Sequence, residues 1–235
     1  MAIKTLNDYN IANKKILVRA DLNVPLENGK ISDISRLISA TPTIKTIQSL
    51  GGITILISHF GRPDGTYREE LSLKQVVPEL ENLLNCSVEF SSELVGKNVI
   101  KKIDNLIGGE ILLLENTRFF AEEEMNDESF SIELSKLGDI FCNDAFSSSH
   151  RAHASTVGVS KLLPNCAGQL MKKEIDTLEN VLKKPQKPLT AVVGGAKIST
   201  KLNLLLNLIK KVDYLIIGGG KIGRASCRER VSTSV

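Results

Sequence analysis

An α/β fold is predicted for this chain: a parallel sheet flanked by helices, followed by an incomplete second α/β domain. Two observations predict it. Apolar runs of strand length recur at Lys15–Ala20, Ile53–Ile57, Ile111–Leu114, Asp139–Cys142, Leu189–Val193 and Tyr214–Ile217, and stretches of helical periodicity lie between them. Such alternation implies βα units and a sheet buried on both faces. A third observation locates function. Polar segments directly follow the first three runs, which gathers their side chains along one sheet edge, where open α/β folds bind ligands.

The helices follow from capping and spacing. Ser72 can cap a helix whose apolar face is Leu73, Val76, Val77, Leu80, Leu83 and Leu84, with Pro78 bending or shortening it. Asp127 can cap one presenting Phe130, Leu134 and Leu137, and Ser199 one presenting Leu202, Leu205, Leu206 and Ile209. Met171–Leu182 reads as an amphipathic helix through Ile175, Leu178, Val181 and Leu182, closed by Lys183-Lys-Pro-Gln-Lys-Pro188. This division predicts a first domain over 1–170, an interdomain helix and hinge over 171–188, and the beginning of a second domain over 189–220. So small a second sheet leaves an open edge and uncovered apolar faces.

Bulk composition narrows the function. Apolar residues make up 42% and charged residues 24% of 235, and no apolar run reaches the ~18 residues that span a bilayer. No signal-like stretch opens the chain, so a cytoplasmic protein without membrane partners is expected. The formal charge of +3 comes from 221–235, where four basic residues face Glu229; residues 1–220 hold 26 basic and 26 acidic groups. With aromatics at 4% and no Trp, a nucleic-acid surface is not expected. Cys86, Cys142, Cys166 and Cys227 match neither CxxC nor zinc spacing and read as reduced packing thiols.

Five segments carry the chemistry: Arg19-Ala-Asp21-Leu-Asn23, Arg36, His59-Phe-Gly-Arg62-Pro-Asp-Gly65, Glu115-Asn-Thr-Arg118-Phe119, and Ser149-His-Arg151-Ala-His153. Guanidinium groups from several of them would line a pocket for a small anion. His150 and His153 lack a carboxylate or Cys at ligand spacing, so no protein-held metal is expected. Gly218-Gly-Gly-Lys-Ile-Gly223 satisfies G-x-G-x-x-G after a strand, but the chain ends before an acidic residue ~20 positions on, so a dinucleotide-binding oxidoreductase stays a minor alternative.

In order and spacing, Val18-Arg-Ala-Asp-Leu-Asn-Val-Pro25, Ser58-His-Phe-Gly-Arg-Pro-Asp-Gly65, Leu114-Glu-Asn-Thr-Arg-Phe119, Asp144-Ala-Phe through His150-Arg-Ala-His153, and Gly194-Gly-Ala-Lys-Ile198 closely resemble the phosphoglycerate kinases. The resemblance implies a Rossmann-like three-layer first domain and reversible phosphoryl transfer between 1,3-bisphosphoglycerate and ADP, giving 3-phosphoglycerate and ATP in glycolysis. It implies Asp21, Asn23, Arg36, His59, Arg62, Arg118 and Arg151 as contacts to phosphoglycerate, and Gly194, Gly195, Lys197 and Lys201 as contacts to nucleotide. Arg36 and Lys197 would be the catalytic groups, with Mg²⁺ arriving on ATP or ADP and the protein acting as a monomer.

Asp21 can either accept from the substrate hydroxyl or steady an arginine, and His59 can either bond the substrate or hold its loop. From Lys221 the sequence leaves the family pattern and resembles a translated sequencing-library adapter, so 221–235 is expected to be an artefact on a gene that runs on. The chain as given would then be inactive, or a phosphoglycerate-binding module without activity.

Overall fold

The computed structural model describes residues 3–183, 185–194 and 202–218. Among them the strands and helices run in chain order as β1 (Lys15–Arg19), β2 (Leu26–Glu27), β3 (Lys30–Ile31), α1 (Ser35–Ser49), β4 (Ile53–Ile57), α2 (Val77–Leu84), β5 (Glu89–Ser91), α3 (Lys97–Asp104), β6 (Ile111–Leu114), α4 (Ala121–Met125), α5 (Glu128–Ser135), β7 (Ile140–Asn143), α6 (Val159–Leu162), β8 (Asn165–Ala167), α7 (Gln169–Lys183), β9 (Thr190–Val193), α8 (Leu202–Ile209) and β10 (Tyr214–Ile217). The chain divides into two compact units, Met1–Glu174 and Ile175–Val235.

In the first unit six parallel strands lie in the order β5-β6-β4-β1-β7-β8. Side chains on successive strand residues point to opposite faces, so each strand feeds two cores. Ile16, Val18, Leu56, Leu113 and Cys142 pack with Leu37, Ile44 and Ile47 of α1 and Leu80 and Leu84 of α2 on one face. Leu17, Ile55, Ile57, Leu112, Leu114 and Phe141 pack with Val99 and Ile103 of α3 and Phe130 and Leu134 of α5 on the other. Helices therefore cover both faces, the three-layer α/β arrangement that the apolar runs predict. The chain steps outward from β1 to β4 on one side and returns to place β7 on the other, so the strand order reverses at β1, and ligands favour the crevice beyond the carboxyl ends at such a point.

Caps follow the sequence with one correction. Asp127 Oδ1 accepts from Phe130 N at 2.8 Å and starts α5. Ser72 Oγ accepts from Lys74 N, but it opens a 3₁₀ turn, Leu73–Val76, and α2 begins only at Val77. Pro78 occupies the first turn of α2, where its missing N–H would have had no helical partner. The single helix expected over Leu73–Leu84 is thus two pieces. Strands β5 and β8 and the hairpin β2–β3 were not expected, and β7 lies one residue later than expected.

In the second unit β9 and β10 pair in parallel, with Thr190 opposite Tyr214 and Val193 opposite Ile217. Val192, Tyr214 and Ile216 are exposed, the uncovered apolar surface expected of a two-stranded sheet. Ser199, expected to cap α8, lies outside the described residues.

Candidate anion site at the carboxyl edge of the sheet

The site lies where β1, β4, β6 and β7 end. Asp144 N donates to Arg19 O at 2.9 Å and Ala20 N to Ile57 O at 3.1 Å, which holds the three strand ends level. Ser58 Oγ accepts from Leu22 N, and Ser58 O accepts from Thr117 N. Asn23 Oδ1 accepts from Gly61 N at 2.8 Å, and Arg118 Nη1 donates to Gly61 O at 2.9 Å. The loop after β4 is therefore gripped from two sides, and Asn116 adds a third grip by bonding both Phe60 N and Phe60 O. Beyond it Pro63 O accepts from Thr66 N while Asp64 and Gly65 take φ of 54° and 75°, a type I′ turn that suits Asp-Gly.

The cations converge. His59, nine-tenths buried, feels the positive fields of Arg19, Arg118, Arg151 and Arg36, and Arg118 in turn feels Arg62. Burial first, and these guanidinium groups next, pull the His59 pKa down to about 2, so its ring is neutral. Arg118 is buried and sets its Nε 3.0 Å from Glu124 Oε1. Arg62 is exposed and hydrogen-bonds no side chain among the described residues.

Arg36 is held by Asp21. Its Nη1 reaches both carboxylate oxygens, at 3.0 and 2.9 Å, and Ser147 Oγ donates to Asp21 Oδ2 at 2.6 Å. Of the two roles open for Asp21, this geometry provides the steadying of an arginine. The three side chains line a cavity of about 260 Å³ with Ser35, Ser39, Asp144 and Glu174. A larger cavity of about 520 Å³ lies between Tyr67, Lys74, Phe90 and Lys102, but none of the converging arginines lines it.

A buried network stands behind the arginines, and motif reading missed it. Arg19, 1% exposed, donates from Nε to Ser155 Oγ at 3.0 Å and from Nη1 to Ala20 O at 2.6 Å. Ser155 donates from Oγ and N to the two oxygens of Glu123, at 2.5 and 2.9 Å. Burial alone would push the Glu123 carboxyl up, but His153, Arg19 and Ser155 more than reverse this and hold it below the usual range. A charged residue ending a run buried on both faces was the available signal for Arg19. Glu123 gave none, because nothing in Glu122-Glu-Glu124 marks the middle carboxylate as buried.

Asp144 belongs to a sequence motif that gives no sign of its own role. Its Oδ1 accepts from Met171 N at 3.1 Å at the start of α7, and its Oδ2 is buried without a partner. Gly168 leaves the room it needs, since a Cβ there would stand 2.2 Å from Asp144 Oδ1. Burial raises the Asp144 pKa from 3.8 to about 6. The folded chain therefore binds this proton more tightly than the unfolded chain, a stabilisation complete below about pH 4 and lost as pH rises through about 6, worth about 3 kcal/mol. Asp144→Asn cannot ionise. Its stability relative to the parent is expected to rise by about 3 kcal/mol between about pH 4 and pH 7 in urea unfolding; a constant difference would contradict this.

Of the expected nucleotide contacts, Gly194 directly follows β9; Gly195, Lys197 and Lys201 lie outside the described residues. Among the described residues no cluster of His, Cys, Asp or Glu is placed to hold a metal ion, and no helix is long and apolar enough to cross a membrane.

Comparison with known proteins matches this architecture to one family. The family model described as phosphoglycerate kinase covers residues 6–224. The chain is 52% identical over 220 residues to phosphoglycerate kinase of Ruegeria pomeroyi, covering 94% of this chain and 55% of that protein. It is 50% identical over 220 residues to that of Rhodospirillum centenum, covering 94% of this chain and 56% of that one. The structure of phosphoglycerate kinase from Coxiella burnetii superposes with a TM-score of 0.83 at 37% identity, over 99% of this chain and 59% of that one. The chain spans about half the length of the curated relatives it matches. Sequence identity, a shared six-stranded sheet and an extended family match agree, and the chain belongs to the phosphoglycerate kinase family.

Proposed function

We propose that the whole protein transfers a phosphoryl group reversibly between 1,3-bisphosphoglycerate and ADP, and that the first unit of this chain holds the three-carbon acid. The convergence of Arg19, Arg36, Arg118 and Arg151 around the neutral His59 carries this reading. A ligand with a phosphate at one end and a carboxylate or acyl phosphate at the other matches such a cluster, and each charge-assisted bond contributes about 1.5–3 kcal/mol. In this reading Arg62, Arg118, Arg151 and His59 bind the ligand. Asn23 holds the loop after β4, and Asp21 sets Arg36 towards the moving group.

Transfer needs in-line placement and positive charge over the moving oxygens. Two anions ~4 Å apart repel by about 4 kcal/mol at an effective dielectric of 20. Arg36, Lys197 and the Mg²⁺ that enters with the nucleotide offset this, while Gly194, Gly195 and Lys201 approach its phosphates. Residues 1–170 then form the phosphoglycerate domain, 171–188 the hinge and 189–220 part of the nucleotide domain of a monomeric cytoplasmic enzyme. Because the chain spans about half of its relatives, we expect it alone to capture phosphoglycerate without transferring phosphate. No observation favours the dinucleotide reading; of Gly218–Gly223 only Gly218 is among the described residues.

Calorimetry with 3-phosphoglycerate beside a coupled kinase assay tests this. Heat without turnover is expected, and silence from a folded chain would contradict the reading. Arg151→Ala should weaken binding about tenfold at low salt, the loss of one charge-assisted bond, and the difference should shrink as salt screens the lost charge. A loss independent of salt would remove Arg151 from the charged contacts.

A further inference from the structure

We propose that Arg19, braced by Ser155 and Glu123, is a positioning residue that fixes His59 as a neutral ring donating from Nε2. Use of that donor towards phosphoglycerate rests on the function proposed above; the state of the ring does not.

The donors behind the ring form an ordered chain. Glu123, fully buried, can only accept while ionised, so Ser155 Oγ donates its hydrogen bond to it across 2.5 Å. The lone pairs of Ser155 Oγ then face Arg19 Nε at 3.0 Å. With Nη1 committed to Ala20 O, the guanidinium is held at two points, and Nη2 lies 3.0 Å from His59 Nδ1. A guanidinium has donors only. His59 Nδ1 must therefore be the acceptor, and the ring's single proton sits on Nε2.

The surroundings enforce the choice. The charged groups that act on this ring are Arg19 from β1, Arg118 from the turn after β6, Arg151 from the loop after β7 and Arg36 from α1, all cationic. A proton on Nδ1 would face Arg19 donor to donor, and a ring protonated on both nitrogens would add a fifth positive charge beside the four arginines. Nε2 has no protein partner among the described residues and is not a buried atom, so it is the nitrogen left for a ligand.

The chemistry of the ligand follows. A fixed donor among fixed cations takes an ionised oxyanion and leaves a donating group unpaired. Its contribution also stays constant where an ordinary histidine would change charge. The usual expectation, that a histidine in an anion site strengthens binding by becoming protonated, does not hold for this one.

Long-range ¹H–¹⁵N spectra of the ligand-free, ¹⁵N-labelled chain test the proposal, with His59 assigned through His59→Gln. A bare Nδ1 and a protonated Nε2, unchanged from about pH 5.5 to pH 8, are expected. Arg19→Met removes the donor and should let the ring titrate or exchange tautomers; Ser155→Ala, which loosens the brace, should do so partly. A parent ring protonated on Nδ1, or titrating near pH 6.5, overturns the proposal even if Arg19→Met does not fold. Adding 3-phosphoglycerate to the same sample separates the two claims. A titrating ring that still binds ligand sinks this inference alone, and a fixed ring in a folded chain that binds none sinks the proposed substrate alone.

Discussion

Glu123→Ala is expected to lower the unfolding free energy by about 3–5 kcal/mol, the range found when one partner of a buried ion pair is removed. Glu123 is fully buried, and it is the carboxylate at the end of the chain that runs through Ser155 to Arg19. Without it, Ser155 N and Oγ lose their acceptor, and the 1%-exposed Arg19 guanidinium loses the larger of the two carboxylate charges that act on it, leaving only Asp21. Glu123→Gln keeps the shape and loses the charge, so it should fall between the parent and the alanine variant. Urea unfolding followed by circular dichroism measures both. A loss below about 1 kcal/mol for the alanine variant, typical of an exposed pair, would mean that the network does not hold the site together.

Arg36→Ala should reduce turnover by about 10²–10³-fold, with the Michaelis constant changed much less, in a chain extended to the length of its relatives. Only Nη1 of Arg36 is used by Asp21, so the other donors remain for a charge that develops during transfer. A group that acts on that charge alters the barrier more than it alters ground-state binding. Asp21, meanwhile, keeps its Ser147 bond. Arg36→Lys, which retains a cation able to meet Asp21, should recover part of the rate. Steady-state kinetics of the three proteins decide the matter, and a rise confined to the Michaelis constant would make Arg36 a simple binding residue.

The sheet was legible because its central strands are buried on both faces. Ile53–Ile57 and Ile111–Leu114 are continuous apolar runs, and the strands coincide with them. The edge strands escaped for the opposite reason: Glu89-Phe-Ser91 and Asn165-Cys-Ala167 are three residues long, lie at the two ends of the strand order and carry no run to read. Pro78 announced a break without saying whether it would fall inside a helix or at its start.

The candidate site divides similarly. Its arginines were legible through local motifs, whereas the groups that aim them were not, since Arg19 meets Ser155 across 136 residues and His59 across 40. Asp21 illustrates the limit: the residue type allowed two roles, and only the placement of Arg36 and Ser147 beside it shows one of them.

The most direct test is a crystal structure of this chain soaked with 3-phosphoglycerate. One ligand should lie beyond the carboxyl ends of β1, β4 and β6, with its oxygens on His59, Arg62, Arg118 and Arg151. A ligand bound elsewhere, with those four side chains turned away from one another, would contradict the account.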